Sequence, residues 1–129
     1  MEKTINLSFG CISKLIEEYY KKNYSNYGVS CYCRSARRTK PDGYGTYDEY
    51  YEFSALVVLS VYKTIFGAKT KFEERQSLNH KEVVEILKTM LNEELEAENT
   101  DVEVGYIKVD EALTYVTLKE KEKKVKKLK

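Results

Sequence analysis

Four basic side chains lie close together in the first third of the sequence, and they are the residues best suited to bind an anion or an acidic partner. They are Arg34, Arg37, Arg38 and Lys40. Two aromatic residues, Tyr44 and Tyr47, follow directly. Guanidinium groups donate several planar hydrogen bonds to phosphates and carboxylates, and arginine and tyrosine are common at binding hot spots. We therefore predict that these six residues form a partner- or phosphate-binding site centred on Arg37 and Arg38.

The segment from Arg34 to Gly45 is predicted to be a loop, because it contains the only proline and a glycine-rich turn. Gly43-Tyr44-Gly45 precedes Thr46, where we predict the start of a helix. Backbone donors, the helix dipole and the nearby arginines would together favour a bound phosphate there. The sequence completes neither a dinucleotide-binding nor a P-loop motif, and Asp48 and Glu49 already bring negative charge to the same helix end. A phosphate or nucleotide site is therefore the alternative to a protein-binding surface.

Three cysteines and one histidine could form a metal site or a nucleophilic centre: Cys11, Cys31, Cys33 and His80. Structural zinc sites usually leave roughly two to four residues between paired cysteines, whereas a single residue separates Cys31 from Cys33. Two apolar thiols on the core face of a strand explain that spacing without a metal. His80 begins a predicted helix, where it can simply be solvated. We expect no metal site, no cofactor and no catalytic residue.

Tyrosine is the most over-represented residue type, with twelve copies in a chain that has no tryptophan. Such a chain must take aromatic core volume from other residues, and four tyrosines lie on predicted apolar faces: Tyr19, Tyr62, Tyr106 and Tyr115. Most of the others surround predicted loops, where tyrosine is favoured in protein interfaces and in stacking on nucleic-acid bases. Tyr44 and Tyr47 are the strongest candidates for contact because they lie beside the arginines.

Hydrophobic periodicity predicts most of the elements that must position these residues. Alternation of apolar and polar residues predicts strands at 4–9, 29–34, 69–75, 102–109 and 113–118. Spacings of three and four predict one helix from Cys11 and another from the capping pair Asn79 and Glu82.

The segment 46–66 fits two structures. Its run of β-branched residues over 53–61 fits a long buried strand. However, Thr46 and Glu49 form a capping box, Gly67 is a typical helix stop, and strands usually contain only roughly three to ten residues. We predict a helix here and keep the strand as the alternative.

The elements together predict one α+β domain over residues 1–118, with about three helices and a small, mostly antiparallel sheet. A basic, flexible tail over 119–129 follows, with seven lysines against two glutamates, although the net charge of the chain is only +1. No apolar run approaches the ~20 residues of a membrane span, and no secretory signal begins the chain. We expect a cytoplasmic protein without a membrane partner, and a homo-oligomer is compatible with the sequence.

Two functional hypotheses follow from the absence of any convergent catalytic motif in the sequence. The first is a non-enzymatic binding protein that inhibits or regulates a macromolecular partner, with a protein as the expected partner. The alternative is a nucleotide- or nucleic-acid-binding domain, with or without phosphodiesterase activity. In its small size and its richness in Lys, Glu, Asn and Tyr, the chain resembles accessory proteins of phages and other mobile elements, including inhibitors of host defence systems.

Overall fold

The computed structural model of the protein describes residues 3–121, which form two helices and two three-stranded antiparallel sheets. The elements are β1 (Lys3–Leu7), α1 (Phe9–Asn23), β2 (Gly28–Pro41), β3 (Tyr47–Ile65), β4 (Ala68–Leu78), α2 (His80–Ala97), β5 (Val102–Val109) and β6 (Thr114–Glu120). One sheet has the order β1-β6-β5 and the other β2-β3-β4. The α+β class is confirmed, with two helices over these residues where about three were expected. Most of the basic tail lies outside them.

Helix α2 begins where the sequence predicted it, whereas α1 begins at Phe9, two residues before the predicted start at Cys11. The Ser8 hydroxyl accepts a hydrogen bond from the Cys11 backbone N–H and caps α1. Asn79 and Glu82 form the complete capping box that starts α2. Neither helix among residues 3–121 is long and apolar enough to span a bilayer.

The prediction of a helix over 46–66 is wrong, because the segment forms the 19-residue strand β3. Burial alternates along it, with Phe53, Ala55, Val57 and Leu59 all buried. Each residue between them is half-buried. Period-two burial and β-branched side chains therefore outweighed the capping signals. Thr46 and Gly67 instead serve hairpin turns, which use the same residue types as helix ends.

The unusual length of β3 comes from its two partners, which pair with different parts of it. β2 pairs with residues 47–60 and β4 with residues 55–65, so the sheet is three-stranded only over residues 55–60. Beyond that region β3 continues as two double-stranded arms. The first arm pairs 34–41 with 47–54 and is about 25 Å long; the second pairs 61–65 with 68–72 and is about 15 Å long.

The core lies on one face of this sheet. The helix α1 packs against β2 through Ile12 and Ile16, while α2 packs against both β3 and β5. The second sheet closes the same core with Val104 and Val116. None of the residues on the opposite face of the β2-β3-β4 sheet is buried. This face is therefore at least partly exposed to solvent over residues 28–78.

Candidate functional site

All six residues of the predicted site lie on the first arm or just inside its base, but the arm is a hairpin and not the predicted loop. Strand β2 continues through the basic cluster to Pro41, and only residues 42–46 form the turn. The uninterrupted register with β3 holds each basic residue opposite a residue of 48–54. The sequence predicted a loop because of the proline and the glycine-rich turn, but Pro41 ends β2 and the glycines lie in the hairpin turn.

The hairpin divides the predicted site between two faces. Successive strand residues point to opposite sides, so the adjacent Arg37 and Arg38 project in opposite directions. Arg37 lies on the core side of the sheet and forms an ion pair of 2.8 Å with Glu49. Arg38 lies on the other side and pairs with Glu52 at 3.4 Å. Arg34 and Lys40 share the side of Arg38, Tyr47 shares that of Arg37, and Tyr44 lies in the turn.

We call the solvent-facing side of the β2-β3-β4 sheet the open face. Its aromatic and apolar members are Tyr32, Tyr50, Leu56, Val58 and Tyr62, and its basic members are Arg34, Arg38, Lys40, Lys69, Lys71 and Arg75. Tyr32 is 70% exposed and Tyr62 is 57% exposed. The ammonium group of Lys40 lies 5.6 Å from the centre of the Tyr50 ring, and that of Lys69 lies 4.8 Å from the Tyr62 ring. Basic and aromatic side chains are therefore interleaved across all three strands.

Arg34 is the only arginine of the open face whose side chain forms no ion pair or hydrogen bond with any residue of 3–121, since Arg38 pairs with Glu52 and Arg75 with Glu73. It lines a shallow cleft of about 620 Å³ together with Tyr32, Ser54, Leu56 and Ser77. The cleft joins an unpaired guanidinium, hydroxyl groups and apolar carbon atoms in one place. An arginine or tyrosine in such a setting is the type of residue that most often dominates binding energy.

Charge is distributed unequally over the molecule. Six basic side chains project from the open face against three acidic ones, which are Asp48, Glu52 and Glu73. On the opposite side of the sheet, helix α2 carries five glutamates and only two lysines. The sheet side is thus positive relative to the helical side, so an acidic surface would be steered towards the open face.

The turn of the first arm is closed by an acidic side chain, Asp42. Asp42 accepts hydrogen bonds from the backbone N–H groups of Tyr44, at 2.7 Å, and Thr46, at 3.3 Å, and from the Thr46 hydroxyl. The Thr46 hydroxyl and these backbone donors lower the pKa of the Asp42 carboxyl. Since no helix begins at Thr46, no helix dipole is available there to favour a phosphate, and Asp42 already uses these backbone donors.

The two cysteines of β2 lie in the core, as the structural interpretation of their spacing predicted. Cys31 and Cys33 are buried, and burial raises the pKa of each thiol to about 12. Cys11 is exposed. A buried, protonated thiol is neither a good nucleophile nor a metal ligand. Among residues 3–121, no group of three His, Cys, Asp or Glu side chains is arranged to hold a metal ion.

His80 has a structural contact that its position in the sequence did not reveal. Its Nδ1 atom accepts a hydrogen bond of 3.0 Å from the Phe53 backbone N–H, and the two rings stack at 5.4 Å. The hydrogen bond requires a lone pair on Nδ1, so the ring proton lies on Nε2. His80 also lines a second cleft, of about 560 Å³, between β3 and β5. That cleft mixes Glu49, Lys108 and Asp110, and none of the three cysteines lines it.

Several members of the open face were not part of the predicted site. Tyr62 was expected in the core but is exposed on the open face. Tyr106 was also expected in the core, and it is 61% exposed on β5 of the other sheet. Tyr32, Tyr50 and Arg75 were not singled out. The signal that could have found them is the alternation along β2 and β3, which assigns these tyrosines to the side opposite Cys31, but the prediction of a helix over 46–66 concealed it.

Comparison with protein-family models, with curated protein sequences and with solved structures found no match to this chain. The geometry and chemistry of the site are therefore the basis on which a function is proposed.

Proposed function

We propose that the protein is a non-enzymatic binding protein that inhibits or regulates a macromolecular partner by docking through its open face. The observation that carries this proposal is the unpaired, exposed Arg34 beside the exposed Tyr32 on a sheet face that no element of residues 3–121 buries. The role fits an accessory protein of a phage or other mobile element, which the chain resembles in composition.

The extent of the open face favours a macromolecule over a small ligand. Tyr50 and Tyr62 are twelve residues apart on one strand, a separation of about 40 Å. Small ligands are usually enclosed in concave pockets, whereas the open face is extended and exposed. A surface of this length suits a partner that contacts many side chains at once, with an arginine and tyrosines as anchors.

The mixture of charges favours a protein as the partner. Asp48, Glu52 and Glu73 lie among the basic residues, and Leu56 and Val58 provide apolar contact at the centre. A nucleic-acid backbone would be repelled by these acids, whereas a protein surface can match both signs. The partner surface is therefore predominantly acidic, with apolar groups that meet Leu56 and Val58.

A nucleic-acid partner is the second candidate, and the row of exposed tyrosines favours it. Tyr32, Tyr50 and Tyr62 lie on one face beside cations, an arrangement that can stack unpaired bases while arginines contact phosphates. Its binding would weaken steeply with salt, because each phosphate contact releases counterions.

Native mass spectrometry of the tagged protein, isolated from cells that produce it naturally, tests the proposal. We expect a complex with a second polypeptide, which is lost in the double variant Arg34→Ala/Arg38→Ala and kept in Arg37→Ala. The Arg37 variant is the control because it removes a guanidinium from the same arm on the other face, next to Arg38. A bound oligonucleotide would support the second candidate instead. Isolation of the protein alone, or a complex unaffected by the double variant, would contradict both uses of the open face.

A further inference from the structure

The turn between β3 and β4 exposes a phenylalanine that neither packing nor backbone geometry favours. Phe66 is fully exposed to solvent, and its φ is +50°. Hairpin turns with positive φ at both central residues favour Asn-Gly or Gly-Gly, and only Gly67, with φ +78°, fits this preference. Phe66 is disfavoured on both counts, which points to a contact that residues 3–121 do not make among themselves.

Phe66 forms the end of an apolar cap on the second arm. The four residues 65–68, Ile-Phe-Gly-Ala, contain no polar side chain. Ile65 is 40% exposed, so the cap presents two large apolar side chains to solvent. Any apolar environment that removed these side chains from water would lower their free energy.

A cationic collar lies directly behind this cap. In the register of the second arm, Lys69 lies opposite Thr64, Lys63 opposite Thr70 and Lys71 opposite Tyr62, so the three lysines occupy three successive levels. The segment 61–72 contains no acidic residue. The ammonium groups of Lys63 and Lys69 lie over the rings of Phe72 and Tyr62, at 5.7 Å and 4.8 Å. These contacts hold positive charge and aromatic rings alongside the arm, behind the apolar tip.

We propose that the tip of the second arm inserts into the surface of a bilayer that contains anionic lipids. Phe66 and Ile65 would enter the boundary between headgroups and acyl chains, and the lysine collar would meet the lipid phosphates. Aromatic rings and lysines are the residue types favoured at that boundary. The sequence-based prediction of no membrane partner rests on the lack of a spanning segment and a secretory signal, and a peripheral contact of this kind needs neither.

The order of groups along the arm favours a bilayer over the other anionic surfaces. A wedge in nucleic acid is usually one apolar side chain between two bases, whereas this cap also presents Ile65, which would then face polar base edges or phosphates. A protein would have to provide a deep apolar pocket with an acidic rim for a convex tip. A fluid bilayer accepts a convex tip without a preformed pocket, and its headgroup region lies at the depth of the collar.

The binding is weak and reversible, since one short apolar cap and one cationic cluster provide only two modest contributions. Each lysine near an anionic surface contributes roughly a fivefold increase in partitioning. The triple variant Lys63→Gln/Lys69→Gln/Lys71→Gln should therefore lose about a hundredfold in partitioning at low salt.

A tryptophan reporter tests the proposal directly, because the chain contains no tryptophan. Phe66→Trp places a single reporter at the tip of the second arm. Tyr44→Trp is the matched control, since Tyr44 is 92% exposed at the tip of the first arm, near Asp42 and Asp48. On addition of phosphatidylcholine vesicles with about one-third phosphatidylserine, the emission at position 66 should shift to the blue and be quenched by brominated lipids, while that at position 44 should not.

Co-flotation of unlabelled protein with the same vesicles is an independent test of the proposal. Phe66→Asn should lose flotation at unchanged or higher melting temperature, because asparagine suits the positive φ better than phenylalanine. Pure phosphatidylcholine vesicles should bind much less. Equal flotation of Phe66→Asn and the unsubstituted protein, or an emission at position 66 that ignores vesicles, would overturn the proposal. A shift at position 66 with a DNA duplex and none with vesicles would overturn it in favour of a nucleic-acid wedge.

Discussion

For single residues of the first arm, the direction in which a side chain projects determines its contacts more than its residue type does. Arg37 and Arg38 are neighbours with the same charge, yet the strand directs one to Glu49 on the core side and the other to Glu52 on the open face. Exposed ion pairs are worth only about 0–1 kcal/mol, so Glu52 does not prevent Arg38 from binding a partner. Substituting Arg37 and Arg38 separately therefore tests the proposed surface, because the two variants lose the same charge at adjacent positions and differ in the face that is changed.

Arg38→Ala should weaken partner binding by about 2 kcal/mol, the usual threshold for a hot spot, and Arg37→Ala should cost well under half of that. Both substitutions should leave the melting temperature nearly unchanged, because both side chains are largely exposed. Calorimetric titration of the purified partner with each variant measures the difference between their binding free energies. Equal losses for the two variants would show that the arm binds through its tip or through both faces.

The cysteines provide a second prediction at the residue scale. In the native protein one thiol, Cys11, should react rapidly with a disulfide reagent near pH 8, and Cys31 and Cys33 should react only as fast as the protein unfolds. Burial raises the pKa of both buried thiols from 9.0 to about 12, so the reactive thiolate is suppressed. Three rapidly reacting thiols in the native state would contradict the core position of Cys31 and Cys33.

The same pKa values predict that the free energy of unfolding decreases at alkaline pH. The thiols lose their protons more easily in the unfolded chain than in the folded one, so their contribution is complete below about pH 9 and is lost as the pH rises towards 12. Denaturant titrations at several pH values should therefore show less alkaline loss of stability in Cys31→Ala/Cys33→Ala than in the unsubstituted protein.

At the scale of elements, most of the secondary structure could be predicted, and one long strand could not. α2 was predictable because its capping box and its apolar stripe indicate the same structure. The segment 46–66 carries conflicting signals, since Thr46 and Gly67 suit a helix end and a hairpin turn equally well. Its length also favoured a helix in the sequence analysis, whereas in the structure two partner strands each pair with a different part of the 19-residue strand.

The alternation of β3 gives an element-scale prediction with an adjacent control. Val57 is fully buried in the core, whereas Val58 is half-buried on the open face. Val57→Asp should prevent cooperative folding, since an unpaired charge in the core costs more than about 4 kcal/mol. Val58→Asp should fold, because its carboxylate can reach water. Thermal unfolding followed by circular dichroism measures both, and similar loss in the two variants would contradict the alternation.

The composition of the candidate site was only partly predictable for the same physical reason. Arg34, Arg38 and Lys40 were found from their charge and spacing, which need no structure. Their separation from Arg37 and their grouping with Tyr32 depend on strand direction and register, which single-sequence patterns do not fix when both faces are polar. The open face therefore became visible only once β3 was known to be its central strand.

At the scale of the whole molecule, the charge on its two sides predicts how partners approach. The sheet side carries the excess of basic residues and α2 carries the acids. Removal of residues 122–129, which contain five lysines and one glutamate, should lower the association rate with an acidic partner but change the dissociation rate little, because long-range charge acts mainly on encounter. Stopped-flow mixing at two salt concentrations measures this, and a large rise in dissociation rate would place the tail in the interface.

Site-specific photo-cross-linking in living cells tests whether a partner docks on the open face. Tyr32→p-benzoylphenylalanine places a cross-linker on the open face, and Tyr106→p-benzoylphenylalanine is the control, since the two tyrosines are 70% and 61% exposed on different sheets. We predict that position 32 yields a covalent adduct with one protein partner and that position 106 does not. Adducts at position 106 but none at position 32 would contradict the account.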